Sequence, residues 1–297
     1  MALKDILVCL DPTEAGETRL RLAAALARDH QAHLTAAFFV PQAIPGTQAS
    51  DGLGVTSPAG AANVAEGSLV AGIPAPAVPP SELSRGDAVA AMVEERFRAA
   101  LPVRGTSDNW HIFAAGDSAD LLAFARTFDL IVYGQTSPDY RLPTGFAPRD
   151  MLTACGRPLL LVPYAGNFTA VGRRVLVAWD GTREAVRAVH DALPLMQGAE
   201  AVHVILVRGD EAQFERDRPS LDRITRHLQH HGLPATAEES LRGGLPVSDV
   251  LLSRAADRNV DLIVAGAYHH SQWREALLGG VSRELLEHMT VPVLMSH

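Results

Sequence analysis

Short apolar runs recur along the chain, and each is followed by a turn and a segment with helical spacing of its apolar residues. The first run covers residues 5–11 (DILVCLD), and a similar run covers residues 174–180 (RVLVAWD). Both runs are short, are rich in Leu and Val, and end in an aspartate. This pattern predicts a β-strand that leads through a turn into a helix, at two places in the chain.

Two further pairs of runs follow in the same order. Residues 129–134 (DLIVYG) resemble residues 261–266 (DLIVAG), and residues 157–162 (RPLLLV) resemble residues 291–295 (VPVLM). Three matching pairs in one order indicate an internal duplication. The sequence therefore predicts two similar domains, at residues 1–165 and 170–297.

The two copies differ in length between the first and second pair. The offset between copies is 180 − 11 = 169 at the first pair and 266 − 134 = 132 at the second, so the first copy has 37 extra residues. Residues 41–80 are rich in proline and glycine among alanine and serine. This composition favours open loop over packed structure, so we predict an extended or partly disordered insertion there.

Strands and helices alternate through the second copy. The predicted elements are a helix at 183–197, a strand at 201–207, a helix at 213–231, a strand at 235–238, a helix at 247–259, a strand at 262–266, a helix at 281–289 and a strand at 293–295. Such alternation predicts an α/β fold, a doubly wound, Rossmann-like parallel sheet with helices on both faces. Residues 159–162 and 293–295 are apolar terminal strands, which we expect to pair the two domains about a pseudo-twofold axis.

Composition narrows the possible partners. The net charge of −8 gives no electrostatic reason to expect binding to a nucleic acid. No stretch approaches the roughly 20 apolar residues of a membrane-spanning helix, so we expect a cytoplasmic protein that does not enter a membrane. The two cysteines, Cys9 and Cys155, lack the spacing of a disulfide framework or metal site and are predicted to be buried free thiols.

A glycine-containing loop follows the strand predicted at 262–266. It begins at Gly266 and ends at Gly279 and Gly280, just before a helix that starts near Ser282. Glycines allow backbone N–H groups to approach an anion, and a helix N-terminus adds unpaired donors and a favourable dipole. The loop is therefore a candidate phosphate-binding site. Its glycines could instead simply turn the chain and end a short helix.

The spacing of this loop resembles the motif of the universal stress protein family: glycine, two residues, glycine, nine residues, then glycine and a small hydroxyl residue. Gly266 and Gly279 match in position, and the aspartate at the end of the first strand, Asp180, also agrees. The resemblance implies a stress-response module that binds an adenine nucleotide, AMP or ATP, with Mg²⁺ if a triphosphate is bound. The implied contacts are Asp180 near the ribose or base, Val207 near the base, and Gly266, Gly279, Gly280, Val281 and Ser282 around the phosphates.

The loop departs from the family motif at two positions. His269 stands where the second glycine is expected, and Gly280 stands where serine or threonine usually follows the third. The His269 ring could crowd the outer phosphates, which would favour AMP over ATP, or it could contact a phosphate as a cation. The first copy, at residues 134–145 (GQTSPDYRLPTG), has no glycine pair before a helix, so its phosphate loop is predicted to be lost although Asp11 remains.

No residue is nominated for catalysis or for a metal site. His227, His230 and His231 could place two rings on one helix face, but placement at the surface of a helix end explains them as well. No motif for a nucleophile is present. Two alternatives to a nucleotide-binding module stay open: a slow Mg²⁺-dependent ATP hydrolase that uses the same loop, and an interaction scaffold without a ligand. Pairing of the two domains within the chain leaves a homodimer possible.

Overall fold

The computed structural model describes residues 2–39, 80–101, 109–114, 117–137, 147–267 and 280–297. The predicted insertion at 41–80 lies outside these residues, except for Pro80, which begins a helix. Among the described helices, none combines the length and apolar character needed to cross a membrane.

The N-terminal half alternates strands and helices. Its described elements are β1 (Asp5–Leu10), α1 (Glu14–His30), β2 (His33–Phe39), α2 (Pro80–Ala100), β3 (Trp110–Phe113), α3 (Ser118–Ala125), β4 (Leu130–Gly134), α4 (Pro148–Cys155) and β5 (Leu159–Val162).

The C-terminal half repeats this order. Its described elements are β6 (Arg174–Ala178), α5 (Arg183–Met196), β7 (Ala201–Arg208), α6 (Glu211–His230), β8 (Ala235–Leu241), α7 (Val247–Asp257), β9 (Leu262–Gly266), α8 (Gly280–His288) and β10 (Val293–Ser296). The predicted strand at 235–238 extends to Leu241 because it pairs with β7 along its whole length.

All the described strands form one sheet in the order β3-β2-β1-β4-β5-β10-β9-β6-β7-β8. Neighbouring strands are parallel except β5 and β10, which are antiparallel, with Leu160 opposite Leu294. The predicted fold class of two tandem doubly wound units is confirmed, and the terminal strands pair the halves as expected. The exact boundaries at 165 and 170 stay a prediction.

Strands of this sheet are apolar on both faces because helices cover both. In β1, Ile6 and Val8 contribute to one core, and Leu7 and Cys9 contribute to the other. The first core packs against α1, α2, α5 and α6, and the second packs against α3, α4, α7 and α8. A strand buried on both faces appears in sequence as a continuous apolar run rather than an alternating one.

The turns after β1 and β6 repeat in detail. Asp11 and Asp180 each accept a hydrogen bond from the backbone N–H two residues later, at 2.9 Å in both halves. Thr13 and Thr182 are the N-caps of α1 and α5, and their hydroxyls accept the N–H groups of Gly16 and Ala185. The aspartates are therefore turn residues, and the threonines cap the helices.

Both cysteines are buried free thiols, as predicted. Burial raises the pKa of Cys9 to about 12 and also raises the pKa of Cys155. Because the thiolate is the reactive form, neither side chain is suited to nucleophilic or redox chemistry at neutral pH.

We expect both thiols to resist an aromatic disulfide reagent at pH 8 in the native protein. They should react fully once the chain is unfolded in guanidinium chloride, since burial and not chemistry protects them. Absorbance of the released thiolate measures both reactions. Rapid reaction of either thiol in the folded protein would contradict the described burial.

The pairing of β5 with β10 also gives a prediction about the isolated C-terminal half. A fragment of residues 170–297 should self-associate or aggregate, because removal of β5 leaves β10 as an apolar edge strand. Light scattering during size-exclusion chromatography measures the mass, with the full chain as the control. A well-behaved monomeric fragment would show that the seam is not needed to cover β10.

Candidate functional site

A cavity lies at the carboxyl ends of β6 and β9. These strands are neighbours in the sheet, but the chain winds outward from them in opposite directions, to β7 and β8 on one side and to β10 on the other. In doubly wound sheets, such a switch point is where a crevice for a ligand opens. The cavity measures about 310 Å³, within the range of small-molecule sites.

Six of the eight residues predicted from the sequence line this cavity. They come from the ends of β6, β7 and β9 and from the first turn of α8, and they are Asp180, Val207, Gly266, Gly280, Val281 and Ser282. The other two, His269 and Gly279, lie outside the described residues. The fold thus brings together residues more than 100 positions apart in sequence, while their roles in binding stay a prediction.

One wall of the cavity is apolar. It is built by Ile205 and Val207 of β7 and by Val247 and Leu251 of α7. The side chains of Ile205 and Val207 lie on the sheet face that α7 and α8 cover. This wall can contact a flat, weakly polar group such as a ring system.

A second part of the cavity lining is formed at the start of α8. Gly280 is the first residue of this helix, and Val281 and the buried Ser282 follow in its first turn. Backbone N–H groups in the first turn have no partner within a helix, and the helix dipole favours an anion beside them. Ser248 of α7 donates a hydrogen bond to Glu284, which holds α8 against α7.

Gly266 is required by close packing at the end of β9. A Cβ atom at this position would lie 2.5 Å from the backbone nitrogen of Ala185 at the start of α5. Any side chain would therefore push α5 away from the sheet. This packing explains why residue 266 is a glycine without any reference to a ligand. Gly266 therefore helps to shape the cavity, and its identity alone is not evidence for a phosphate contact.

Two charged residues of the cavity, Glu184 and Arg208, were not anticipated from the sequence. Arg208 ends β7, donates from Nε to Asp217 at 2.6 Å, and donates from Nη2 to the backbone oxygen of Asp180 at 3.3 Å. Glu184 is buried in the cavity wall and is paired with Arg183 at 2.5 Å. Arg208 could have been predicted as a cavity residue from its position directly after Val207, because residues at strand ends meet at this crevice.

Trp179 was also missed. Its indole lines the cavity and donates a hydrogen bond from Nε1 to the hydroxyl of Ser220 at 3.1 Å. The bond joins the end of β6 to α6 and fixes the residue that precedes Asp180. Asp180 itself is exposed, and its Oδ1 atom accepts hydrogen bonds from the backbone and hydroxyl of Thr182.

The N-terminal half supports the cavity through Gln135, which follows β4. Its side-chain nitrogen donates to the backbone oxygens of Leu286 and Glu287, both at 3.0 Å, near the C-terminus of α8. The last carbonyls of a helix have no partner within the helix, so Gln135 satisfies groups that need a donor. Its counterpart in the other half is Ala267 (135 + 132 = 267), which has no such donor.

We expect Gln135→Ala to lower the free energy of unfolding by about 1–2 kcal/mol, because two helix carbonyls lose a buried donor. Urea unfolding followed by circular dichroism measures the change. Gln197→Ala is the matched control, since Gln197 is exposed at the end of α5. Equal effects of the two substitutions would show that the contact between halves contributes nothing.

The histidines of α6 form part of a ring cluster between two helices. His227 lies 5.4 Å from His190 of α5 and 4.7 Å from His231, measured between ring centroids. In the described part of the chain, no group of three or more histidines, cysteines or acidic residues has the arrangement of a metal site. The Nε2 atom of His227 is buried without a hydrogen-bond partner there.

Burial lowers the pKa of His227, and the neighbouring His231, His190 and His230 lower it further. A histidine with a depressed pKa in the folded state stabilises the protein above its unfolded pKa of about 6.5, and this contribution is lost as the pH falls through the lower folded value. The His227 ring therefore favours unfolding in mild acid.

We expect His227→Gln to reduce the loss of stability between pH 7.5 and pH 5.5. Thermal unfolding at several pH values measures the difference, and His33→Gln, at an exposed position on β2, is the control. The slope of melting temperature against pH is the informative quantity, whatever the substitution does to stability at pH 7.5. An unchanged slope would show that His227 does not titrate differently in the two states.

Fold and cavity together define a class of protein: a tandem doubly wound α/β protein with a ligand crevice at the switch point of its C-terminal half. Residues 172–297 match the model of the universal stress protein family. The C-terminal half is thus a universal stress protein domain, and the resemblance seen in the sequence is confirmed there. No curated protein matches the sequence.

Solved structures share the fold over nearly the whole chain. A universal stress protein from Archaeoglobus fulgidus has a TM-score of 0.65 at 16% identity, covering 98% of this chain and 95% of its own. A protein of unknown function from Pseudomonas aeruginosa has a TM-score of 0.55 at 17% identity, covering 99% and 92%. At these identities the likeness concerns the fold alone, and it extends to the N-terminal half.

Proposed function

We propose that the C-terminal half binds one adenine nucleotide, AMP or ATP, and that the chain acts as a ligand-dependent module of the stress response. The observation that carries this proposal is the composition of the cavity at the switch point. An apolar wall from β7 and α7 and the N-terminus of α8 line one space of about 310 Å³. An adenine ring and a phosphate require these two kinds of surface within one site.

Asp180 also lines the cavity and is the residue we assign to the ribose or base. It is exposed at the end of β6, and its Oδ1 atom is already oriented by Thr182. Arg208 donates to the backbone oxygen of Asp180 and so fixes the main chain at this point. A carboxylate held in this way can accept hydrogen bonds from a sugar hydroxyl or an exocyclic amine.

We place the phosphate at the first turn of α8, near Gly280, Val281 and Ser282. Gly279 and His269 belong to the same proposal through the sequence motif. Mg²⁺ enters only with a triphosphate, whose charge needs a counterion. The acidic composition and the two buried thiols fit a cytoplasmic protein whose partner is a small molecule. A homodimer of the whole chain is compatible with the proposal and is not required by it.

Calorimetric titration with AMP, and with ATP plus Mg²⁺, tests the site. We expect a stoichiometry near one per chain, and we expect Asp180→Ala to weaken both nucleotides at least about tenfold, the effect of losing one hydrogen bond to a charged group. Asp222→Ala, at an exposed position of α6, is the control. Two equivalent sites, or no loss with Asp180→Ala, would contradict the assignment.

The role of His269 is tested in the same titrations. If its ring crowds the outer phosphates, His269→Gly should improve ATP affinity more than AMP affinity. If its ring contacts a phosphate as a cation, the substitution should weaken binding, most clearly below about pH 6.5 where imidazole is protonated. No effect on either nucleotide would remove His269 from the site.

The two alternative functions predict different outcomes with the same protein. Formation of ADP or AMP from ATP and Mg²⁺, abolished by Asp180→Ala, would indicate a slow hydrolase rather than a binding module. Absence of binding to AMP and ATP at millimolar concentration would favour the scaffold. Chromatography of the nucleotides after incubation distinguishes these outcomes from simple reversible binding.

A further inference from the structure

The N-terminal half has a buried ion pair at the end of β1, the strand that corresponds to β6 beside the cavity of the C-terminal half. Arg19 of α1 is 2% exposed and donates from Nη2 to the carboxylate of Asp11, which is 7% exposed. Asp11 also accepts hydrogen bonds from the backbone and hydroxyl of Thr13. The carboxylate at the end of β1 is therefore fully engaged within the protein.

The same guanidinium covers the glycine at the end of β4. A Cβ atom at Gly134 would lie 1.6 Å from Nη1 of Arg19, so this nitrogen occupies the position that a side chain would take. Arg19 thus contacts both Asp11 and Gly134. The counterparts of these two residues, Asp180 and Gly266, line the cavity of the C-terminal half.

The C-terminal half has no cation at the matching position. Asp11 corresponds to Asp180 and the N-cap Thr13 corresponds to Thr182, both with an offset of 169, so Arg19 corresponds to Ala188. Ala188 is 1% exposed and is too short to reach the strand ends. There the backbone at the start of α5 packs directly on Gly266, and the carboxylate of Asp180 remains at the surface.

Burying an arginine is costly unless its charge is paired, and removal of one partner leaves the other charge buried and unpaired. In the described part of the chain the Nε atom of Arg19 has no hydrogen-bond partner, so the pairing with Asp11 compensates only part of the guanidinium.

We propose that Arg19 is a built-in cation that closes the crevice of the N-terminal half and so determines which half of the chain can take a ligand. The closure follows from the contacts of Arg19 with Asp11 and Gly134. Only the identity of the excluded ligand, an adenine nucleotide, rests on the proposed function. In the N-terminal half, the side chain of Arg19 fills the space at the strand ends that a ligand would otherwise take.

The first test removes the cation and returns it as a small molecule. Arg19→Ala should lower the melting temperature of the full chain by about 10 °C, as expected for a broken buried pair in a protein of this size. Methylguanidinium at about 10 mM should raise the melting temperature of this variant, because it fits the vacated space beside Asp11. The wild type and Arg21→Ala, at an exposed position of the same helix, should not respond.

This test needs no nucleotide, so it stands apart from the proposed function. A melting temperature of Arg19→Ala within about 2 °C of the wild type would overturn the proposal, because a closing ion pair cannot be removed without loss. An equal response of all three proteins to methylguanidinium would also overturn it, since it would show no site for the cation.

The second test installs the cation in the other half. Ala188→Arg should reduce AMP affinity at least tenfold while the circular dichroism spectrum is kept, because the new guanidinium pairs with Asp180. Ala188→Met controls for the added volume and should retain binding. Equal affinity of the two variants would overturn the proposal, and if Ala188→Arg does not fold, the response of Arg19→Ala to methylguanidinium decides.

Discussion

The antiparallel pairing of β5 with β10 holds the two halves of the chain in a single sheet. Every other described pair of neighbouring strands is parallel and belongs to one half. Leu160 and Leu294 lie opposite each other at this seam and are completely buried. The seam places the C-terminal end of α8 within reach of Gln135 from the N-terminal half, and α8 is the helix whose other end forms the cavity.

The two halves share a fold but differ at the crevice. In the C-terminal half, a small residue at 188 leaves the carboxylate of Asp180 at the surface beside an apolar wall. In the N-terminal half, the larger Arg19 neutralises Asp11 and covers Gly134. We attribute the difference between the two crevices to this one position on the helix after the first strand, Arg19 in α1 and Ala188 in α5. The N-terminal copy contributes support, through the seam and Gln135.

Much of the fold was accessible from the sequence because strands buried on both faces appear as continuous apolar runs. The bounds of β9 at residues 262–266 agree with the prediction, since Asp261 and Gly266 mark its ends. Val207 was predicted only through the resemblance to the universal stress protein family, whereas Asp180 could be predicted because strand ends meet at a switch point. That inference needs the strand order alone and no side-chain detail.

The contacts of Arg19 and Gln135 could not be predicted in the same way. An arginine among leucines and alanines on an amphipathic helix is normally expected to reach solvent, and a glutamine after a strand is normally expected in a loop. Their partners, at Asp11 and on α8, are set by tertiary packing that periodicity does not report. The two halves differ mainly in polar side chains that connect one element to another. The pattern of apolar residues along the sequence does not predict these contacts.

The most direct test of the central claim is to identify the small molecules that the purified chain releases on denaturation. After incubation with AMP and ATP and removal of free nucleotide, mass spectrometry of the released fraction should show an adenine nucleotide at no more than one per chain. Asp180→Ala should release much less under the same conditions. Two nucleotides per chain, or equal amounts from the wild type and Asp180→Ala, would contradict a single site in the C-terminal half.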